Sequence, residues 1–207
     1  MTRRSGSGRE DAASDGRTTG ASRRPLILGL TGPNAAGKGA AGEVLLSLGF
    51  AYHSLSDVVR EEARRRGRSE GRDDLIRTGN ELRKEGGPGA LAEGILPRLR
   101  DRDVVDSIRN PSEVAVLRRL KGFLLLGVDA PPAVRFERAR RRTGRGDAVQ
   151  SLEAFLQKEA EENGADPAAQ QLAATFLLAD RIIRNDGTLE EFSRRLKALV
   201  GELESAP

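Results

Sequence analysis

Cysteine is missing from this 207-residue sequence, and histidine occurs once, at position 53. Without cysteine the chain can form no disulfide, no thiol nucleophile and no zinc site of the usual thiolate kind. A single histidine cannot build a His-rich metal site, and a Ser-His-Asp triad would depend on His53 alone. We interpret His53 as a strand-end residue outside the site. The remaining reactive groups are lysine, arginine, aspartate, hydroxyls and backbone amides, a set that suits phosphoryl transfer.

Long apolar runs are also lacking. No stretch approaches the roughly 20 apolar residues of a membrane-spanning helix, and the first residues lack the apolar core of a signal peptide. We therefore expect a cytoplasmic protein with no membrane partner. The formal net charge is +4, but six arginines and three acidic residues fall within residues 1–24. Because the rest of the chain is close to neutral, its charge argues against nucleic acid as a partner.

The first 24 residues differ in composition from the rest. They are rich in Ser, Gly, Arg, Thr and Asp and contain almost no large apolar side chain. Such a segment cannot bury enough apolar surface to offset the entropy lost on ordering, so we predict a disordered tail over residues 1–24. The remaining residues, 25–207, have the length of one domain with one active site.

Short apolar runs alternate with amphipathic segments through this domain. The runs predict five strands, at Leu26–Leu30, Phe50–His53, Val104–Asp106, Phe123–Asp129 and Arg181–Arg184. Helices are predicted at Lys38–Leu48, Asp57–Arg66, Asp73–Lys84, Ala90–Arg100, Ser112–Leu120, Pro132–Arg142, Leu152–Glu162, Ala168–Leu178 and Leu189–Leu203. This alternation predicts an α/β fold, a three-layer sandwich doubly wound around a five-stranded parallel sheet. Ligands bind such sheets beyond the carboxyl ends of the strands.

A glycine-rich segment follows the first predicted strand and matches the G-x-x-x-x-G-K part of a Walker A motif. Backbone N–H groups in such a loop converge on phosphates, and the positive end of the following helix adds to their attraction. Lys38 would reach the β- and γ-phosphates. The residues predicted to bind ATP here are Gly32, Asn34, Ala35, Ala36, Gly37, Lys38, Gly39 and Ala40.

The loop departs from most Walker A motifs after its lysine. Gly39 and Ala40 stand where a Ser or Thr hydroxyl would lie close to magnesium and the phosphates. Magnesium must then be held by the phosphates, by water and by carboxylates. Asp57 and Asp106 are the candidate carboxylates, and both would contact the ion through water, as magnesium favours.

Several segments together resemble the adenylate kinase and nucleoside monophosphate kinase group of P-loop proteins. The loop sequence Gly37-Lys38-Gly39 is similar to the group's Gly-Lys-Gly-Thr. Ser56–Arg60 resembles its acceptor motif Asp-x-x-Arg, and Val104–Arg109 resembles its strand-three motif Asp-Gly-x-x-Arg with the arginine displaced by one residue. Asp129–Pro132 is similar to the strand-four turn of these kinases and of dephospho-coenzyme A kinases. Asn185–Leu189 looks like the loop that closes on adenine.

The resemblance covers residues 26–203, extends to proteins grouped with AAA-type ATPases, and implies a role for each matched residue. Catalysis would depend on Lys38, Arg142 and Arg145, with the arginines on a short helical lid. The acceptor would be bound by Asp57, Arg60, Arg109 and Arg138. Adenine would be contacted by Asn185 and Gly187. Asp57 and Arg60 also lie one helical turn apart, so that both can face one cleft.

These features predict an ATP-dependent nucleotide kinase that phosphorylates a nucleoside or deoxynucleoside monophosphate. ATP and Mg²⁺ would be its cofactors, and its partner would be the small-molecule phosphate acceptor. Two alternatives stay open. A dephospho-coenzyme A kinase would phosphorylate a hydroxyl, with Asp57 as the base. A nucleotide sensor would bind ATP with little turnover, which Ala40 and the displaced Arg109 favour. The sequence identifies no protein partner.

Overall fold

Strands and helices alternate along residues 24–141, 151–163, 166 and 168–205, the residues described by the structure, which is a computed structural model. The strands are β1 Ile27–Thr31, β2 Ala51–Ser54, β3 Asp103–Asp106, β4 Phe123–Asp129 and β5 Arg181–Arg184. The helices are α1 Lys38–Ser47, α2 Leu55–Arg65, α3 Arg72–Gly86, α4 Ala90–Ile95, α5 Pro111–Leu117, α6 Pro132–Arg141, α7 Leu152–Glu162, α8 Leu172–Phe176 and α9 Leu189–Ser205. The predicted alternation is therefore confirmed.

The strands form one parallel sheet in the order β2-β3-β1-β4-β5. All five residues of β1 are buried, as expected for the central strand of a sheet covered on both faces. Leu28 and Leu30 point into an apolar cluster shared with α1 and α9. Ile27 points into a second cluster shared with α2, α4 and α5. The three-layer, doubly wound arrangement brings the ends of β1, β2 and β3 to one edge, where the site lies.

Two of the predicted helices are much longer than those in the structure. The helix predicted over Ala90–Arg100 ends at Ile95 and continues as a short 3₁₀ turn, Leu96–Arg98. Pro97 lacks the N–H that an α-helix would require there. The helix predicted over Ala168–Leu178 spans only α8, because the N–H of Gln171 bonds to the carbonyl of Arg109 instead of to a helical carbonyl.

Some predicted features fall where the structure gives no description. Residues 1–23 of the predicted tail lie outside the described residues, as do residues 142–150, which include the predicted catalytic Arg142 and Arg145. Within the described residues, no helix is both long enough and apolar enough to cross a membrane.

Candidate active site

The loop between β1 and α1 has a backbone that requires glycine at two points. Gly32 has φ of +137° and Gly37 has φ of +110°, in the region that disfavours a side chain. A Cβ at Gly32 would clash with the carbonyl oxygen of Val128, and one at Gly37 would clash with the side-chain amide of Asn185. The two glycines of the Walker pattern therefore allow both the turn itself and its close contact with neighbouring elements.

Hydrogen bonds from Asn185 and Arg138 hold this loop in place. The Nδ2 of Asn185 donates to the carbonyl of Ala36 at 2.8 Å, and Arg138 donates to the Oδ1 of Asn185 at 3.2 Å and to the same carbonyl at 3.3 Å. Asn185 is buried. In this structure both residues support the loop, and their predicted contacts with adenine and acceptor stay predictions. Gly187 lies just before α9, where a Cβ would clash with Glu191.

A cleft of about 1240 Å³ opens in front of the loop. It is bounded by the loop, by α2 and α3, by the end of β3 and by α7. The predicted site residues that line it are Asn34, Ala35, Gly37, Lys38, Gly39, Asp57, Arg60, Asp106 and Arg109. The Nζ of Lys38 donates to the carbonyls of Gly32 and Pro33 at 2.7 and 3.0 Å, so the lysine lies folded over the loop. The fold thus joins phosphate-loop residues to the predicted acceptor residues.

Asp106 is the last residue of β3, and only one of its two carboxylate oxygens accepts a hydrogen bond from a described residue. Its Oδ2 accepts a hydrogen bond of 2.7 Å from the hydroxyl of Tyr52, while Oδ1 is buried with no hydrogen-bond partner among the described residues. Burial is the main cause that raises the pKa of Tyr52, and the negative charge of Asp106 raises it further. The phenol therefore stays protonated and acts as a hydrogen-bond donor. Gly42 makes room for its ring, since a Cβ there would press on it. Tyr52 is not among the residues predicted from the sequence, where its only signal is that it is the sole tyrosine.

The unpaired Oδ1 of Asp106 bears on whether the residues of the cleft could hold a magnesium ion. A buried carboxylate oxygen without a donor suits the hydration shell of a magnesium ion, which keeps several waters. Across the described residues, however, no three His, Asp or Glu side chains are grouped to hold a metal. The donor set therefore fits magnesium only as a hydrated ion held jointly with phosphates.

Four described arginines line the cleft together with the loop. The described arginines that line it are Arg60, Arg72, Arg83 and Arg109. The sequence analysis predicted the first and last and missed the two on α3. Their spacing could have revealed them, because Arg72, Ile76, Gly79 and Arg83 recur at helical intervals and all line the cleft.

These arginines differ in what they contact. Arg60 pairs with Asp57 at 2.8 Å, and Arg83 with the buried Glu113 at 2.7 Å. Arg72 pairs with a glutamate of α7. Arg109 instead donates to the neutral Oε1 of Gln170 at 3.0 Å.

Two glutamates of α7 reach the start of the loop, and the sequence analysis missed both. Glu159 accepts from the backbone N–H of Asn34 at 3.0 Å and pairs with Arg135 at 2.6 Å. Glu162 accepts from the side-chain amide of Asn34 at 2.9 Å and also pairs with Arg72. A phosphate approaching the amide of Asn34 would meet the Glu159 carboxylate, so the Glu159 side chain must move before that amide can bind an anion.

Comparison with known families places the loop and cleft in context. Residues 31–156 match the profile of a family described as an AAA domain. A UPF0200 protein of Pyrococcus abyssi is 32% identical over 187 residues, covering 86% of this chain and 97% of the relative. A UPF0200 protein of Hyperthermus butylicus is 35% identical over 182 residues, covering 86% of this chain and 95% of the relative.

Solved structures share the architecture. TT1252 from Thermus thermophilus matches with a TM-score of 0.57 and 25% identity, covering 87% of this chain and 98% of that one. Shikimate kinase from Bacteroides thetaiotaomicron matches with a TM-score of 0.55 and 17% identity, covering 85% and 98%. These likenesses identify a P-loop NTPase fold with kinases among its neighbours. The narrower likeness to adenylate kinases stays a prediction.

Proposed function

We propose that this chain, which belongs to the AAA domain family and to the UPF0200 proteins, transfers a phosphoryl group from ATP to a nucleoside or deoxynucleoside monophosphate. The observation that carries the proposal is the shared cleft, which is lined both by the loop with Lys38 and by Arg60, Arg72, Arg83 and Arg109. A phosphate donor and a phosphate acceptor each need positive groups, and this cleft offers enough of them for both.

The reaction needs no protein nucleophile. An oxygen of the acceptor phosphate would attack the γ-phosphorus of ATP, the bond from that phosphorus to the β–γ bridging oxygen would break, and ADP would leave. Lys38 and the loop amides would stabilise the donor phosphates, and the cleft arginines would orient the acceptor. When bound, magnesium would neutralise charge between the β- and γ-phosphates. Asp106 would face its hydration shell.

The missing loop hydroxyl gives a direct test of this metal arrangement. Gly39 is exposed at the cleft, and apart from its chain neighbours and the backbone of its own helix no described atom lies within 4 Å of the place of an added Cβ. We expect Gly39→Ser to lower the magnesium concentration for half-maximal turnover by about tenfold, because one hydrogen bond to a charged group contributes about 1.5–3 kcal/mol. Titrating magnesium against turnover, and against ADP binding by calorimetry, measures the change.

Ala40→Ser is the matched control for that substitution. Ala40 is partly buried and packs against the apolar cluster beneath α1, so a hydroxyl there should give a smaller gain. Equal gains at both positions, or none at Gly39, would contradict the proposed location of the metal.

Substitution of Arg60 tests how the cleft would bind the acceptor. Its guanidinium lines the cleft from α2 beside Asp57. We expect Arg60→Ala to raise the acceptor KM at least about tenfold while leaving the ATP KM nearly unchanged, because an interaction with only one substrate should affect that substrate alone. Initial rates with each substrate varied in turn measure both constants.

Arg64 provides the control for Arg60. It lies one turn further along α2, contacts Glu70 at 3.3 Å and is largely exposed. Arg64→Ala should therefore leave both KM values unchanged. Equal effects of Arg60→Ala on the two substrates would remove Arg60 from the acceptor site.

The acceptor itself is identified by an ADP-release assay with ATP and magnesium. The panel consists of all nucleoside and deoxynucleoside monophosphates, with dephospho-coenzyme A, shikimate and gluconate as other acceptor classes. Turnover of monophosphates supports the proposal, and turnover of dephospho-coenzyme A alone would replace it with the hydroxyl kinase. ATP binding without any turnover would favour the nucleotide sensor. The Glu159 carboxylate at the loop amide is the observation that gives this last alternative its weight.

A further inference from the structure

Arg109 differs from the other described arginines of the cleft in having no carboxylate partner. Arg60, Arg72 and Arg83 each pair with an acidic side chain. Among the described residues, no carboxylate lies within 4 Å of the Arg109 guanidinium, and the side chain donates to Gln170 instead. Burial lowers the pKa of Arg109, but a guanidinium remains charged at any ordinary pH. A partly buried positive charge therefore faces the cleft without a direct carboxylate pair, and Asp106, Glu162 and Glu113 stabilise it only from a longer distance.

The backbone that carries Arg109 is fixed on both sides. Ser107 adopts a left-handed conformation with φ of 65°, unusual for a residue with a side chain. The hydroxyl of Thr31 donates to the carbonyl of Ile108 at 3.1 Å, and the N–H of Arg109 donates to Glu113 at 2.8 Å. Strain held by several such bonds is typical of a functional position. The backbone from which the Arg109 side chain extends is thus preorganised.

Gln170 completes the arrangement from the segment before α8. Its side chain is buried, and its Oε1 lies 3.0 Å from the Nη1 of Arg109. The neighbouring backbone is tied to the same strand end, since Gln171 N donates to the carbonyl of Arg109 at 2.8 Å and Asn110 donates to that of Ala169 at 3.0 Å. A carboxamide oxygen orients a guanidinium without cancelling its charge, whereas a carboxylate would do both.

We propose that Gln170 is a positioning residue that holds Arg109 in the cleft while leaving its charge available for the phosphate of the acceptor. The naming of the acceptor rests on the proposed function, but the anion site itself does not require turnover. This assignment makes Arg109 an acceptor-phosphate contact in addition to Arg60, and the one of the two that has no carboxylate pair among the described residues. It also restricts the acceptor to molecules that carry an anionic group.

Gln170→Glu in the full chain tests the proposal. The change is nearly isosteric and should strengthen the contact with Arg109, so the melting temperature should stay the same or rise. A structural role alone predicts unchanged anion binding. We expect instead that affinity falls at least about tenfold, because the new carboxylate neutralises Arg109. Calorimetry measures binding of the monophosphate with the highest turnover, or of inorganic phosphate if none is turned over.

Two further variants keep the result interpretable. Gln171→Glu adds the same charge one residue away, at a side chain that contacts Asp166 rather than Arg109, and should change affinity much less. Gln170→Ala removes the orienting oxygen but keeps the charge, and should weaken binding by a smaller factor than Gln170→Glu. Unchanged affinity in Gln170→Glu, or equal losses in it and Gln171→Glu, would overturn the proposal.

The outcomes separate this inference from the kinase proposal. If Gln170→Glu loses phosphate binding and no acceptor is turned over, the anion site at Arg109 is supported and the proposed kinase activity is rejected. Turnover of a monophosphate with a KM that Gln170→Glu does not change would uphold the kinase and remove the role of Gln170. An effect on the ATP KM alone would place Arg109 at the donor phosphates and likewise overturn the inference.

Discussion

Lys38→Ala should weaken ATP binding or turnover by about 2–4 kcal/mol, the scale of a lost charged contact in a closed site. This corresponds to roughly 30- to 900-fold. Lys38 lies at the start of α1 and bonds to two carbonyls of its own loop, at 2.7 and 3.0 Å. A bound phosphate offers its ammonium a charged partner in place of these neutral ones, so the interaction gains strength when ATP binds.

Calorimetric titration with ATP and steady-state kinetics measure the effect, and thermal unfolding checks that the variant is folded. Lys197→Ala serves as the control, because that lysine is exposed on α9 and outside the lining of the cleft. A folded Lys38→Ala protein with unchanged ATP affinity and turnover would show that the loop does not bind ATP as proposed.

The sequence predicted the parts of the site that depend on local spacing. The loop lies between a strand and a helix with fixed glycine positions, so Lys38 could be placed from a few neighbouring residues. Asp57 and Arg60 could be placed together because one helical turn separates them. In the structure these residues line one cleft, while their roles stay predictions.

The rest of the site depends on contacts between residues far apart in the chain. Glu159 reaches Asn34 from α7, and Gln170 reaches Arg109 from the segment before α8. Nothing in the local pattern distinguishes these side chains from solvated ones on a polar helix face. Asn185 shows the same limit, because a turn signal in the sequence gives no indication that its amide is buried against the loop.

The largest loss of stability should follow from removing the side chain of Glu113. Glu113 connects Arg83 of the cleft and the backbone of Arg109 to the buried interior. Its side chain is fully buried, and one oxygen accepts from Arg83 at 3.0 and 2.7 Å. The other accepts from the backbone N–H groups of Arg109 and Asn110 at 2.8 and 3.1 Å. Burial raises the pKa of Glu113, but every contact is donated to it, and only the ionised carboxylate accepts all four.

We expect Glu113→Ala to lower the free energy of unfolding by about 3–5 kcal/mol, because it leaves the buried Arg83 guanidinium without a carboxylate partner and two backbone donors unpaired. At roughly 2–4 °C per kcal/mol for a chain of this size, the melting temperature should fall by about 6–20 °C. Denaturant unfolding and calorimetry measure both quantities. The control is Glu93→Ala, which removes a half-exposed partner of Arg119 and should cost about 0–1 kcal/mol. Comparable losses in the two variants would show that the buried pair contributes no more than a surface one.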